Sequence, residues 1–137
     1  LLNSVLTEKH NATAVHTAHE MEKLAHIFPK NIKLFIAKKD DKLIAGTILF
    51  INHDIIHTQY LASNELGRSL GALDTILAHL IQNKYAQKRY FNFGISNEQN
   101  GCYLNESLIA QKEGFGGRAI CFKQYEIYFN KDLKNDY

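Results

Sequence analysis

The chain has 137 residues, enough for one domain with one core. Hydrophobic residues make up 45% and there is a single proline, which excludes a disordered chain, while a net charge of +2 is too small to point to nucleic acid. No apolar run is long enough to cross a bilayer, no secretory leader pattern is present, and Cys102 and Cys121 lack the spacing of a disulfide framework or zinc site, so the reading is of reduced thiols in a cytoplasmic setting.

Residues 1–10 read as a helix with Leu2, Val5 and Leu6 on one face, and residues 11–15 break it. A leucine-rich helix with no Met before it gives the expectation of a piece from a longer protein. Thr17-Ala18-His19-Glu20 is a capping box, and Met21, Leu24, Ala25 and Phe28 follow as an apolar stripe that ends at Pro29. Ile32, Leu34 and Ile36 alternate with Lys33 and Phe35 as a strand. Asp40-Asp41 is a tight-turn candidate, and Leu43, Ala45, Thr47, Leu49 and Ile51 form the partner strand. Asn52-His53-Asp54 turns the chain into a third strand, residues 55–62, completing an antiparallel meander. Strict alternation on that strand puts His57 and Gln59 on one face and Thr58 and Tyr60 on the other.

Residues 63–71 then read as a polar loop with two glycines, Gly67 and Gly71. Leu70, Leu73, Leu77, Leu80 and Ile81 follow at helical spacing, and residues 90–93 close the unit as another strand. Two strands joined through one helix are most economically parallel, with a right-handed crossover. The loop's backbone N–H groups then sit at a helix N-terminus, where an anion is welcome, so the loop reads as a phosphate cradle for a nucleotide-bearing cofactor. Arg68 can add a charge-assisted contact, and Asp74 in the first turns of the helix is accounted for by the dipole.

Residues 94–101 read as a polar loop just past the C-terminal end of a parallel strand, where open α/β sheets place ligands. Ser96, Glu98 and Asn100 are candidates there. Asn105 caps a short helix that ends with Gly114 in the C′ position. Residues 119–129 read as a long last strand and residues 131–137 as a charged tail. His16, His19 and His26 lack the i, i+4 spacing of a helical zinc site, so no metal is expected.

This order of elements, with the loop Glu65-Leu66-Gly67-Arg68-Ser69-Leu70-Gly71-Ala72, resembles the GNAT acyltransferases. Phe91-Asn92-Phe93-Gly94 and Lys112-Glu113-Gly114-Phe115-Gly116-Gly117 are in addition similar to the Fem-type peptidyl transferases and to GNAT-related acyltransferases of bacterial polysaccharide clusters. The loop departs from the family pattern: Asn64 stands where a Gln or Arg is usual, and the glycines are four apart rather than two. The resemblance implies an α/β (α+β) fold, an antiparallel meander plus a β-α-β parallel crossover flanked by helices. It implies one domain over residues 1–137, the C-terminal half of a longer bacterial protein.

The activity so implied moves an acyl group from acetyl-coenzyme A, or another acyl-coenzyme A, to an amine of a small molecule, amino sugar or cell-envelope precursor. Leu61, Ala62, Gly67, Arg68, Ser69, Leu70, Gly71 and Ala72 would hold the cofactor. The third strand would line the reaction centre, with His57 as base and Gln59 beside it, and Glu98 as the base on the loop. Ser96, Asn100, Tyr103 and Lys112 would face the acceptor, and Ala110 occupies the place of the family's usual tyrosine acid. Two further readings keep the fold: an aminoacyl-tRNA donor, as in Fem-type enzymes, and a non-catalytic half that shapes a cleft or dimerises. The implied partners are the acceptor amine, the rest of the longer protein and a second copy of the chain; nucleic acid is not expected.

Overall fold

A computed structural model describes residues 16–127. The helix and break expected over residues 1–15, and the tail over residues 131–137, lie outside the described residues. Helix α1 (Ala18–Ile27) begins with the expected box: Glu20 N–H donates to Thr17 Oγ1 at 3.2 Å, and Thr17 N–H donates to Glu20 Oε2 at 2.7 Å. Those bonds hold the Glu20 carboxyl below its usual range. Met21 is buried, Leu24 and Ala25 are half-buried, and Phe28 caps the end just before Pro29.

Strands β1 (Ile32–Lys39), β2 (Lys42–Ile51) and β3 (Ile55–Ser63) form the antiparallel meander. Asp40 and Asp41 join the first two with φ of 48° and 58°, the pair of positive values a type I′ hairpin requires. Strand β4 (Tyr90–Asn92) adds to β3 in parallel, giving a mixed four-stranded sheet in the order β1-β2-β3-β4.

The structure shows which face of β1 meets the core and corrects one expectation about faces, on β3. On β1 the side chains that reach the core are Phe35 and Ala37, while Leu34 is 65% and Ile36 46% exposed. The crossover helix packs on the Phe35 side, and the other side is covered far less. On β3 the alternation is interrupted: Thr58 pairs with Leu49 and Tyr60 with Ile48, so Gln59 is a bulged residue with no partner in β2. Directly opposed side chains share a face. His57, opposite Phe50, therefore lies on the same face as Tyr60, and Thr58 lies with Leu49 on the other.

The crossover also differs from a plain loop and helix. Asn64 caps a short helix, α2 (Glu65–Ser69), by accepting from Gly67 N–H at 2.8 Å. Helix α3 (Ala72–His79) runs on as a π turn (Leu80–Lys84). One cluster joins Ile44 and Ala45 to Ala72, with Leu73 and Ile76 against it. A second joins Leu49, Ile56 and Leu80, with Phe35, Tyr85 and Phe91 against it. Fully burying each such aliphatic side chain contributes roughly 1.5–3 kcal/mol, so the α3 face carries most of the sheet's packing.

Past β4 the expected loop contains a hairpin, β5 (Asn97–Glu98) and β6 (Tyr103–Leu104), turned by Gln99 and Asn100 at φ 51° and 56°. Asn105 caps α4 (Glu106–Gly114), its Oδ1 accepting from Leu108 N–H at 3.0 Å. The left-handed residue after this helix is Gly116, at φ 83°, and Gly114 stays within the helix. The expected last strand does not form over its described part, residues 119–127, where Ile120, Phe122, Tyr125 and Ile127 are exposed. Strand propensity alone makes no strand, because the ladder needs a partner edge.

Candidate functional site

The parallel ladder between β3 and β4 runs from the Ile55–Tyr90 pair to the His57–Asn92 pair and stops. Thr58 Oγ1 donates to Asn92 O at 3.3 Å as a last tie. Beyond it β3 continues to Ser63, whereas Gly94, at φ 72°, turns the other chain away with its N–H on Asn92 Oδ1 at 2.7 Å. The strands thus part at their C-terminal ends, leaving a cleft between the free edge of residues 59–63 and residues 93–96. Gln59, Leu61 and Ala62 lie along that edge, and Ala62 is buried opposite Gly46. His57 stands at the start of the cleft, half-buried, its Cε1 3.6 Å from where a Cβ on Gly94 would be.

From the end of β3 the chain passes through α2 to the N-terminus of α3. Gly71 occupies its N-cap in the left-handed region, at φ 61° and ψ 31°, and no side chain caps the helix. The first intrahelical bond is Thr75 N–H to Gly71 O at 2.9 Å, so the N–H groups of Ala72, Leu73 and Asp74 precede it and carry the positive end of the dipole. Space above Gly71 is open; the nearest atom a Cβ would meet is Asp74 Oδ2 at 3.9 Å.

Gly67 does not share this role. Its N–H is taken by Asn64, and a Cβ would fall 2.2 Å from Ile44 O, so it is glycine because β2 lies against it. Arg68 donates Nη1–H to Ser63 O at 2.7 Å, which holds the exposed guanidinium between the end of β3 and the helix start. Ser69 Oγ donates to Leu66 O, Leu70 is 49% exposed, and the Ala72 side chain is in the core.

On the other wall, Lys112 of α4 reaches back to the loop after β4. Its Nζ donates to Ser96 Oγ at 3.0 Å, to Gly94 O at 3.3 Å and to Ile95 O. An ammonium has three donors, so all are committed to the loop rather than offered to a ligand. Burial pushes its pKa below the usual lysine value. Glu98 Oε1 accepts from Asn105 Nδ2 at 2.7 Å, a bond that ties the hairpin to the cap of α4. Asn100 and Tyr103 are exposed on the same hairpin. No hydrogen bond joins Glu98, Asn100 or Tyr103 to His57 among the described residues.

One pair was not legible in the sequence. Tyr60 Oη lies 2.7 Å from His16 Nδ1 and accepts from His16 N–H at 3.2 Å, across a separation of 44 residues. No local signal could have linked them, since the bulge at Gln59 decides which way Tyr60 faces. Among the described residues no group of His, Cys, Asp and Glu could hold a metal ion, and no helix is long and apolar enough to cross a membrane.

The sequence matches the acetyltransferase (GNAT) domain family over residues 3–100. No curated protein matches it. The fold is similar to that of a possible acetyltransferase from Clostridium difficile 630, with a TM-score of 0.67 at 12% identity over 93% of this chain and 86% of that one. It is similar to an aminoglycoside acetyltransferase, HMB0005, from an uncultured soil metagenomic sample, with a TM-score of 0.60 at 13% identity over 93% and 85%. It is also similar to AAC(6')-Iy in complex with a bisubstrate analog, CoA-S-monomethyl-acetylneamine, with a TM-score of 0.58 at 14% identity over 90% and 88%. At these identities the likeness is one of fold.

Proposed function

The chain belongs to the GNAT acetyltransferase family, and from that premise we propose that it transfers an acetyl group from acetyl-coenzyme A to a primary amine of an amino sugar. The observation that carries the proposal is the cleft where β3 runs past the end of β4, with the uncapped N-terminus of α3 one short helix further along the chain. The N–H groups of Ala72, Leu73 and Asp74, with Arg68 beside them, would hold the donor's phosphates. The free edge of β3 at Leu61 and Ala62 would pair with the donor's amide groups, as an added strand does. When bound, the donor supplies a thioester whose carbonyl carbon an amine can attack.

The protein's part is to orient, to exclude water and to move protons. Gln59, outside the ladder with β2, supports a backbone N–H available to the carbonyl oxygen as charge develops there. His57 takes the amine proton, and Glu98 is the second candidate for that task. Ser96 at the cleft wall, and Asn100 and Tyr103 on the hairpin, would contact the acceptor, while Lys112 serves by holding the loop. An amino sugar is favoured as acceptor because two of the similar structures carry an aminoglycoside acetyltransferase name or an acetylneamine-bearing analog.

The reading has the domain act in the cytoplasm, in keeping with its two free cysteines, within a longer bacterial protein and as a dimer. A Fem-type aminoacyl-tRNA donor and a non-catalytic half are the readings it must defeat; the first rests on the stretches at 91–94 and 112–117. The test is calorimetry with acetyl-coenzyme A, followed by thiol release with neamine, glucosamine and a nucleotide-linked amino sugar as acceptors. Donor binding with turnover of any of them supports the proposal. Binding of aminoacyl-tRNA with none of acetyl-coenzyme A supports the Fem-type donor, and binding of neither supports the structural half.

A further inference from the structure

At the opposite end of the β3–β4 ladder from the cleft, the turn before β3 and the stretch before β4 border a hollow of about 380 Å³. Lys84, Lys88 and Arg89 line it, together with His53, Asp54 and Tyr85. We propose that this hollow is a second ligand site, one that takes the phosphate group of a small phosphorylated molecule. It uses no residue of the cleft, so it stands apart from the acetyl-transfer reading.

The charge of the hollow is the first observation. The whole chain carries a net +2, yet three lysine and arginine side chains face this one concavity against the single carboxylate of Asp54. Among the described residues the one ion pair is His53 Nδ1 with Asp54 Oδ1 at 3.0 Å, so none of the three cations has a carboxylate partner there. Cations gathered around a concavity raise the local concentration of anions.

The second observation is that these cations are already held in place. Lys88 is half-buried, and its Nζ donates to Asn52 O and to His53 O, both at 2.8 Å. An ammonium has three donors, so one N–H remains on a side chain that is fixed in advance. The same two bonds, with Tyr90 N–H on Asp54 O at 3.0 Å, tie one wall of the hollow to the other. Lys84 Nζ lies over the rings of Phe35 and Tyr85, at 5.5 Å and 5.9 Å, and the Arg89 guanidinium lies over Tyr90 at 5.4 Å. Ring faces attract cations at such distances and restrain them.

The third observation lies in the backbone. Helix α3 ends in its π turn, Leu80–Lys84, closed by Tyr85 N–H on Leu80 O at 2.9 Å. Such turns are rare and concentrate at functional sites. This one delivers Lys84 and Tyr85 to the hollow. The donor set also selects the ligand. A carboxylate offers one charge and two oxygens, whereas an arginine fork and two ammonium groups match the several oxygens and double charge of a phosphate.

The experiment uses the full chain, titrated by calorimetry with inorganic pyrophosphate, ADP and glucose 6-phosphate. Salt is kept at about 0.15 M, where exposed charges more than about 8 Å apart are largely screened. At least one probe is expected to bind. Lys84→Gln combined with Arg89→Gln is expected to weaken that binding about tenfold or more, because each change removes a charge-assisted bond. Lys38→Gln combined with Lys39→Gln takes the same two charges from the exposed β1–β2 hairpin and is expected to change it less than about twofold. Melting of the first double variant within about 2 °C of wild type separates lost binding from lost folding. Pyrophosphate bound as tightly as ADP supports a site that reads phosphate alone, and tighter ADP supports one that also meets the nucleoside. Equal losses in the two double variants, or no binding of any probe, overturn the proposal. So does a probe that coenzyme A displaces and that Gly71→Glu abolishes, since the anion then sits at α3; that result leaves the proposed function standing. Pyrophosphate binding with no binding of acetyl-coenzyme A supports this site and overturns the proposed function.

Discussion

His57 and Lys112 both border Gly94: His57 Cε1 lies 3.6 Å from where a Cβ on the glycine would be, and Lys112 donates to its carbonyl. If His57 takes the amine proton, His57→Gln keeps a polar side chain in a half-buried strand and lowers kcat/KM on the order of 10²-fold, with Glu98→Gln close to wild type. The reverse ranking, read by steady-state kinetics, would move the proton to the hairpin. For Lys112, burial lowers the pKa from 10.5, so the folded chain holds this proton less tightly than the unfolded one. The charged ammonium is therefore disfavoured by folding at neutral pH. That cost fades as pH rises through the lowered value toward 10.5, because in this window the unfolded state binds more protons. Lys112→Arg stays charged throughout. Urea unfolding from neutral pH up to that value is expected to show wild type gaining on the arginine variant, and a constant difference would refute the burial account.

At the scale of elements, the two glycines of the crossover answer different demands. Gly71→Glu adds a carboxylate where an anion is to sit, at a left-handed position that costs a non-glycine residue roughly 1–2 kcal/mol. Calorimetry should show acetyl-coenzyme A binding weakened by far more than that strain explains. Gly67→Ala makes the opposite trade: its methyl group would overlap Ile44 O and Ser63 Oγ, so it loses roughly 1–3 kcal/mol of stability or more through forced backbone shifts. Thermal unfolding of the two variants separates them; a stable Gly67→Ala would mean that α2 does not lie on β2 as described. The bulge at Gln59 belongs to this scale as well, since one extra residue on β3 turns Tyr60 onto the face of His57.

For the whole molecule, the described sheet ends at β4, which is only three residues long, and the apolar segment at 119–127 forms no ladder with a described strand. Ile120, Phe122, Tyr125 and Ile127 are each at least 76% exposed. Exposed apolar side chains gathered in one segment favour association. Sedimentation velocity across a concentration series is expected to show self-association that Phe122→Ser reduces; an unchanged monomer in both proteins would count against a dimer. The chain then joins one well-packed face, between the sheet and α3, to a second half held by the Lys112 clamp and the stack of Phe93 on Phe115 at 5.7 Å.

The order of α1, the β1–β3 meander, the crossover helix and β4, the capping box at Thr17, the Asp40-Asp41 hairpin and the parallel return to β4 are all local in origin. They follow from propensity, hydrophobic period and turn chemistry between near neighbours, which is why the sequence by itself determined them. The face of Tyr60, its contact with His16, the close packing behind Gly67 and the inward turn of Lys112 came only from the tertiary structure. Each depends on a residue distant in sequence: Ile48 and Leu49 for the bulge, Ile44 for the glycine, Gly94 and Ser96 for the lysine. The strand expected at 119–129 marks the same boundary: alternating apolar residues supply the propensity, but a strand exists only where another edge completes its hydrogen bonds.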